Sequence, residues 1–327
     1  MAFVAPSPLP DWLQPALPFA RRAYALERGQ DAGRVVHLID HGRGPPVLLL
    51  HGNPTWSFLW RGVIARLPGF RCVAPDLLGF GLSSKLPRSR DHQVERHLAA
   101  LEELLLALDL GAGEAAPGGA NGAASASGQR GVILVGQDWG GPLVVGLAAR
   151  HPERVAGLVL GNTSVLVPSR PRGTLFHRFA RAPIVSEVAF RLLGFPLRSL
   201  HRTQGDPGSI RGQVARAYRW PLARVRDRAG PLGLARMVPS SPDHPSVAAL
   251  RPGAGWVQAF DGPVHLVWGE RDPILGRALA RHMDALPRAA VTRTQAGHFL
   301  QEEVPDLLAA AVQEVAARAG VIEGSPG

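Results

Sequence analysis

Asp138, His298 and Asp272, with Asn53 and Trp139, are the residues of this chain whose types and spacing could do covalent chemistry. Asp138 sits in Gly136-Gln137-Asp138-Trp139-Gly140, between a short apolar run and a helical pattern. Small residues two positions either side of a reactive side chain suit a tight, strained turn from strand to helix. An aspartate there suits displacement at saturated carbon. Alkylation turns it into an ester, which water can open at the carbonyl, whereas an alkylated serine would be an ether that water does not readily cleave. The plain alternative is an Asp capping a helix. Two partners argue against it, in the chain order nucleophile, acid, histidine that such hydrolytic triads use. His298, in Gly297-His298-Phe299, can take a proton from water. Asp272, in WGERDPIL, can hold the imidazole through its other nitrogen.

A departing anion needs hydrogen-bond donors aimed at the charge as it develops, and neutral donors release the product ion more easily than a cation would. Asn53, in His51-Gly52-Asn53-Pro54, offers side-chain N–H groups, and the indole of Trp139 is a donor only. Backbone N–H groups at 53 and 139 are expected to form an oxyanion hole. The plain alternatives are a turn residue for Asn53 and core packing for Trp139. His265, mid-strand, and His282, mid-helix, read as surface histidines. Asp76 follows a strand but precedes the nucleophile, and reads as ordering the LLGFG turn behind it.

The elements that must position these residues follow from hydrophobic pattern. VVHLID (35–40) alternates like a strand, and PVLLLHG, RCVAPD, GVILVG and VAGLVLGN are short apolar runs, as buried strands are. PVHLVWGERD (263–272) resumes the pattern, with a short strand near 289–293. Helical spacing covers 91–110, 140–150, 276–286 and the stretch from about 304. Strands alternating with helices imply a mostly parallel sheet covered on both faces. Residues 1–33 read as an irregular lead-in, and the Gly/Ala/Ser-rich stretch 111–130 as a flexible surface insert. The expected organisation is a main domain in two parts, 1–162 and 251–327, with a helical cap at 163–250. Phe176, Phe179, Leu192, Leu232 and Leu234 are candidates for the cap's pocket wall.

The 327 residues, 46% hydrophobic, can bury a full core. One cysteine, Cys72, cannot form an internal disulfide and reads as a buried strand residue. No signal peptide is read at the N-terminus, and the apolar window 131–149 carries an Asp and a Gln that a bilayer would penalise. A cytoplasmic protein without a membrane partner is therefore expected. The net charge of +10 comes from arginine, Lys85 being the single lysine. With no zinc spacing, aromatic RNA-binding signature or dense basic run, no nucleic-acid partner is expected, and arginines such as Arg178, Arg181, Arg191 and Arg198 read as a solvated helical face.

Together, HGNPTWSFLWR, APDLLGFGLSSK, VGQDWGGP, HPERVAGLVLGNT, VWGERD and GHFLQEEVPD resemble the haloalkane dehalogenases, over nearly all of 35–318. The resemblance implies the α/β-hydrolase fold with an inserted helical cap, and no cofactor or metal. It implies a halogenated hydrocarbon, water and halide ion as the molecules handled. It also implies Asp138 as nucleophile, His298 as base, Asp272 as acid, and Asn53 and Trp139 as halide donors. Members that place a Glu after the strand ending near 160 differ here, where Asn162 stands. The late Asp with an Asn-Trp pair resembles the third subfamily, whose members tend to self-associate. Competing readings are an epoxide hydrolase, which would need two cap tyrosines where this chain has Tyr24 and Tyr218; a light-emitting oxygenase on the same scaffold; and a non-catalytic ligand-binding homologue.

Overall fold

The computed structural model describes residues 2–112, 131–169 and 175–322. Most of the expected surface insert (113–130), and Arg170 and Arg172, lie outside them. Among the described residues one nine-stranded sheet has the order β1-β2-β3-β5-β4-β6-β7-β8-β9. Its strands are β1 Phe3–Val4, β2 Arg21–Ala25, β3 Val35–His41, β4 Pro46–Leu50, β5 Arg71–Pro75, β6 Val132–Asp138, β7 Val155–Thr163, β8 Val264–Gly269 and β9 Ala290–Thr294. From β5 across to β9 neighbours pair parallel, and β1, β2 and β3 pair antiparallel at one edge. The helices of seven or more residues are α1 Val94–Ala107, α2 Gly140–Arg150, α3 Leu175–Arg181, α4 Gly212–Arg219, α5 Ala229–Met237, α6 Pro245–Ala259, α7 Leu279–Ala285 and α8 Pro305–Arg318.

The expected irregular lead-in is thus corrected: Arg21–Ala25 pairs along its length with Val35–Ile39. RRAYA has little apolar alternation of its own, so the strand draws its order from the backbone of β3.

The central strands read as unbroken apolar runs because both faces are covered. Pleating sends alternate side chains to opposite faces. Leu48, Leu50, Val132 and Leu134 join one apolar cluster, with Leu98, Leu101 and Leu143 of α1 and α2. Val47, Leu49, Ile133 and Val135 join the other, with Leu308 and Val312 of α8. Each such side chain, fully buried, contributes about 1.5–3 kcal/mol of transfer free energy. α6 crosses α2 so closely that a Cβ on Gly253 would come within 2.8 Å of the Gly146 nitrogen. The expected cap boundary at 250 falls inside α6. Between β7 and β8 the described chain forms α3 to α6 and short turns; α5 meets the carboxyl edge through Pro231 and Asn53, while α6 packs on α2.

Candidate active site

Parallel strands end where ligands bind in open α/β sheets, at their carboxyl edge. Asp138 closes β6, Asn53 follows β4, Asn162 and Thr163 close β7, Asp272 follows β8, and His298 follows β9. The turn at Asp138 needs its flanking glycines. A Cβ on Gly140 would stand 1.9 Å from the Leu50 carbonyl oxygen, and one on Gly136 would stand 2.7 Å from the Gly140 carbonyl. Asp138 itself lies at φ +50°, a conformation non-glycine residues seldom adopt. The strain aims its carboxylate over the sheet edge, where Thr163 Oγ1 donates to its carbonyl at 2.6 Å.

The two carboxylate oxygens of Asp138 have different surroundings. The backbone N–H of Asn53 donates to Oδ1 at 2.7 Å, and the backbone N–H of Trp139 also donates to the carboxylate. Oδ2 faces Nε2 of His298 at 3.6 Å. On the far side of the ring, Nδ1 of His298 lies 2.9 Å from Asp272 Oδ2. Asp272 Oδ1 accepts from the backbone N–H of Ile274 at 2.7 Å. The structure therefore brings Asp138, His298, Asp272 and Asn53 into one connected cluster. Trp139 joins through its backbone, and its ring belongs to the buried cluster that holds Leu50, Phe80 and Leu234.

Burial pushes the Asp138 carboxyl above its ordinary value, only partly offset by His298 and the two N–H donors. For His298 burial acts against the charged ring, but the carboxylates of Asp272 and Asp138 outweigh it and raise its pKa. Asp272 goes the other way: the cost of burying it is exceeded by His298 and by backbone donors, and its pKa falls. It is ionised throughout the pH range in which His298 gains and loses its proton.

Asn53 offers more than its backbone. Its side-chain Nδ2 donates to the Pro231 carbonyl of α5 at 3.0 Å, clamping the cap to this edge and leaving the second amide N–H available.

The chain resembles known proteins along most of its length. Residues 47–311 match the model of the Alpha/beta hydrolase family. Haloalkane dehalogenase 2 of Mycobacterium tuberculosis is 34% identical over 91% of this chain and 95% of its own length. The haloalkane dehalogenase of Mycobacterium marinum is 34% identical over 82% of this chain and 84% of its own. The chain belongs to the haloalkane dehalogenase family. Among solved dehalogenase structures, DbeA from Bradyrhizobium elkani matches at 26% identity and a TM-score of 0.74, over 91% of this chain and 99% of that one. DpaA from Paraglaciecola agarilytica, described as tetrameric, matches at 25% and 0.74, over 91% and 93%.

In this dehalogenase several residues around the site carry no local signal in the sequence, and Asn162 is legible there only as standing where other members have a Glu. Asn162, fully buried, donates through Nδ2 to Asp272 Oδ2 at 2.8 Å and to the Gly297 carbonyl at 3.0 Å. Its Oδ1 accepts from the Gly269 N–H at 2.8 Å. The side chain ties the loops after β8 and β9 together and holds Asp272 beside His298. Gln137 Nε2 donates to the His298 carbonyl at 3.0 Å. The chain at 203–206 straps the histidine loop. His298 N–H donates to the Thr203 carbonyl at 2.8 Å, Phe299 N–H donates to Gln204 Oε1 at 2.9 Å, and the Glu303 carboxylate accepts from Gly205, Asp206 and Gly297 N–H groups.

Other expectations divide. Asp76 orders the turn as read: it accepts from Leu82 N–H at 2.8 Å and from Ser57 N–H at 2.7 Å, and a Cβ on Gly81 would strike it. Cys72 is buried, and burial pushes its thiol up to about 12. The surface reading of His265 and His282 is corrected, for both are buried. His265 Nε2 lies 2.8 Å from the Thr292 hydroxyl, and His282 Nε2 accepts from Val165 N–H at 3.2 Å, so each serves as a packed polar bridge. Of the candidate cap wall, Leu232 and Leu234 are buried and Phe179 packs on Phe190 and Phe195, while Leu192 is 56% exposed on the outside.

Proposed function

We propose that this protein hydrolyses haloalkanes to an alcohol and a halide ion by way of an alkyl ester on Asp138. Asp138 Oδ2, the oxygen that faces His298, attacks the halogen-bearing carbon. The carbon–halogen bond breaks with its electron pair leaving on the halide, which the remaining side-chain N–H of Asn53 and the indole N–H of Trp139 receive. His298 Nε2, oriented by Asp272, then takes a proton from water while the oxygen of that water adds to Cγ of the ester. The negative charge gathers on Oδ1, which the backbone N–H of Asn53 contacts, with the backbone N–H of Trp139 donating to the same carboxylate. Donors so placed typically contribute about 10²–10³ in rate each. Collapse breaks the Cγ–Oδ2 bond, the departing alkoxide takes the proton held by His298, and the carboxyl left behind releases its own proton to restore the carboxylate, so the products are an alcohol, a halide ion and a proton. The side chains of this protein carry every step, and the reaction as proposed needs no metal or organic cofactor. The stretch 163–250 acts as the cap that keeps the site dry.

The observation that carries this reading is the unequal treatment of the two oxygens of Asp138. Oδ1 is pinned by Asn53 N–H at 2.7 Å, and Oδ2 faces His298 at 3.6 Å. The epoxide-hydrolase reading loses its acid. Tyr218 is fully buried with its hydroxyl donating to Glu302, and Tyr24 hydrogen-bonds Glu103 at the far edge of the sheet.

His298→Phe tests the mechanism. With a bromoalkane the variant should gain one alkyl group by mass spectrometry, located on Asp138, and release one equivalent of bromide. Sustained turnover in that variant would remove His298 from the role given to it.

A further inference from the structure

The outer surface of the helices between β7 and β8 has a character the hydrolytic site does not use. Of the twelve large apolar side chains exposed among the described residues, eight lie between 175 and 225, so exposure is concentrated rather than scattered. Ile184 is 76% exposed, Leu193 61%, Val185 57% and Leu192 56%. Exposed apolar side chains gathered in one segment in this way mark a contact with something.

The same face is strongly cationic. Residues 175–228 hold eleven arginines and three acidic residues, so most of the net charge of +10 resides there. The three acids are engaged within the segment or beside it, and among the described residues none pairs with Arg198, Arg216, Arg219 or Arg228. Glu187 pairs with Arg236 at 2.9 Å and Arg191 at 3.6 Å, Asp227 lies 3.9 Å from Arg226, and Asp206 accepts from the Gly208 N–H. Beside them is a groove of about 500 Å³ lined by Arg198, Arg216, Arg219 and Arg228 with Leu197 and Trp220. Arg228 spends its donors on main-chain carbonyls, among them Leu222 and Leu192, and Arg216 lies over the Trp12 ring at 4.0 Å. No carboxylate answers any of the four among the described residues. Groove and apolar patch are continuous, since Leu192 and Leu193 lead directly into Gly194 at its rim.

A cationic groove alone would suit any anion, and an apolar patch alone would suit a second copy. Joined, they select among partners. A second copy of this chain would set like charge against like. A nucleic acid has no use for protruding Ile184 and Leu193. An anionic bilayer satisfies both halves: aliphatic side chains enter the headgroup boundary while arginines meet phosphates. We propose that this face docks on anionic lipid surfaces, with a phospholipid phosphate seated among Arg198, Arg216, Arg219 and Arg228. No described helix is long and apolar enough to cross a membrane, and peripheral docking needs none. This revises the expectations of a solvated arginine face and of no membrane partner. It stands independently of the hydrolytic reading.

The test is co-sedimentation of the full chain with vesicles of phosphatidylcholine alone, or with about one-third phosphatidylglycerol. Binding should be about tenfold or more tighter on the anionic vesicles, and should weaken as salt screens the arginines. Ile184→Ser with Leu193→Ser, and separately Arg198→Ala with Arg219→Ala, should each weaken binding at least about fivefold while circular dichroism stays unchanged. Inorganic phosphate at the ionic strength of the binding buffer should not displace the protein. Equal binding to both vesicle types would overturn the proposal. So would loss of binding in the arginine pair alone, displacement by free phosphate, or a change in self-association in place of vesicle binding in the apolar pair.

Discussion

Replacing Asn162 by Ala separates the two halves of the proposed reaction without touching the nucleophile. The amide makes three buried hydrogen bonds: to Asp272 Oδ2 at 2.8 Å, to the Gly297 carbonyl at 3.0 Å, and from Gly269 N–H at 2.8 Å. Alanine leaves two main-chain groups without that partner, and a buried polar group so stranded costs about 1–3 kcal/mol. The expected loss is about 2–5 kcal/mol, or a fall in Tm of about 3–7 °C for a chain of this size. Asp272 keeps Ile274 N–H at 2.7 Å and remains in place, but the loops carrying acid and base are no longer tied. A misplacement of about 1 Å can cost a hundredfold, so ester hydrolysis should slow by about ten- to a hundredfold. The first bromide equivalent, which depends on Asp138, should appear at the wild-type rate, giving a burst before slow turnover. The pH dependence should also move. His298 works as a neutral base, and its pKa is already raised: burial opposes the charged ring, but Asp272 and Asp138 favour it more strongly. Stripping a donor from Asp272 concentrates its charge on the ring, raises the His298 pKa further and shifts the acid limb of turnover to higher pH. Burst and steady-state bromide release across pH, with differential scanning calorimetry, read all three effects. A lower Tm with unchanged turnover and an unmoved acid limb would refute a positioning role and leave Asn162 as structural glue.

Trp139→Phe removes one of the two halide donors. A hydrogen bond to a charged group contributes about 1.5–3 kcal/mol, so inhibition by bromide should weaken at least about tenfold; an unchanged inhibition constant would place the indole outside the site. Gly52→Ala introduces a Cβ 2.3 Å from Asp138 Oδ1 and must displace the nucleophile or the Asn53 N–H. Bromide release should fall about a hundredfold with the far-ultraviolet spectrum retained, and near-native turnover would show that the elbow has slack it is argued to lack. Asp76→Asn tests the turn behind the site. Burial disfavours the Asp76 charge, but His37, His51 and the Leu82 N–H outweigh that and hold its pKa well below the usual carboxylate range. Its contribution to stability is therefore full at neutral pH and fades only as pH falls below that range. The variant should lose about 2–4 kcal/mol at pH 7 by urea unfolding and differ less from wild type in strong acid; a loss independent of pH would show that charge is not what Asp76 supplies.

What could be read in the sequence is what local rules control. β4, β6, β7 and β8 are unbroken apolar runs because both faces are covered, and a run of that kind needs no partner to be visible. The turn at Asp138 is legible for the same reason. Gly136 and Gly140 answer steric demands set within a few residues and by the neighbouring Leu50 carbonyl, so the spacing survives as a pattern. His298 and Asp272 are legible by their order along the chain and by following strands. The rest depends on groups brought together from far apart. Asn162 has no local signature, since its meaning comes from Gly269 and Gly297, 107 and 135 positions away. Arg21–Ala25 forms a strand because β3 offers it a free edge, which RRAYA does not advertise. His265 and His282 look like solvent-facing polar residues until Thr292 and Val165 supply partners that make their burial affordable. The same reasoning explains why the strap from Thr203 to Asp206 was invisible. A segment with no periodicity acquires its role only when Glu303, about a hundred residues on, accepts from two of its N–H groups and from that of Gly297 beside the histidine. The chemistry of this site is thus written locally in the nucleophile's turn and non-locally in everything that holds the base to its task. Substitutions in the second group should accordingly slow hydrolysis of the ester while sparing its formation.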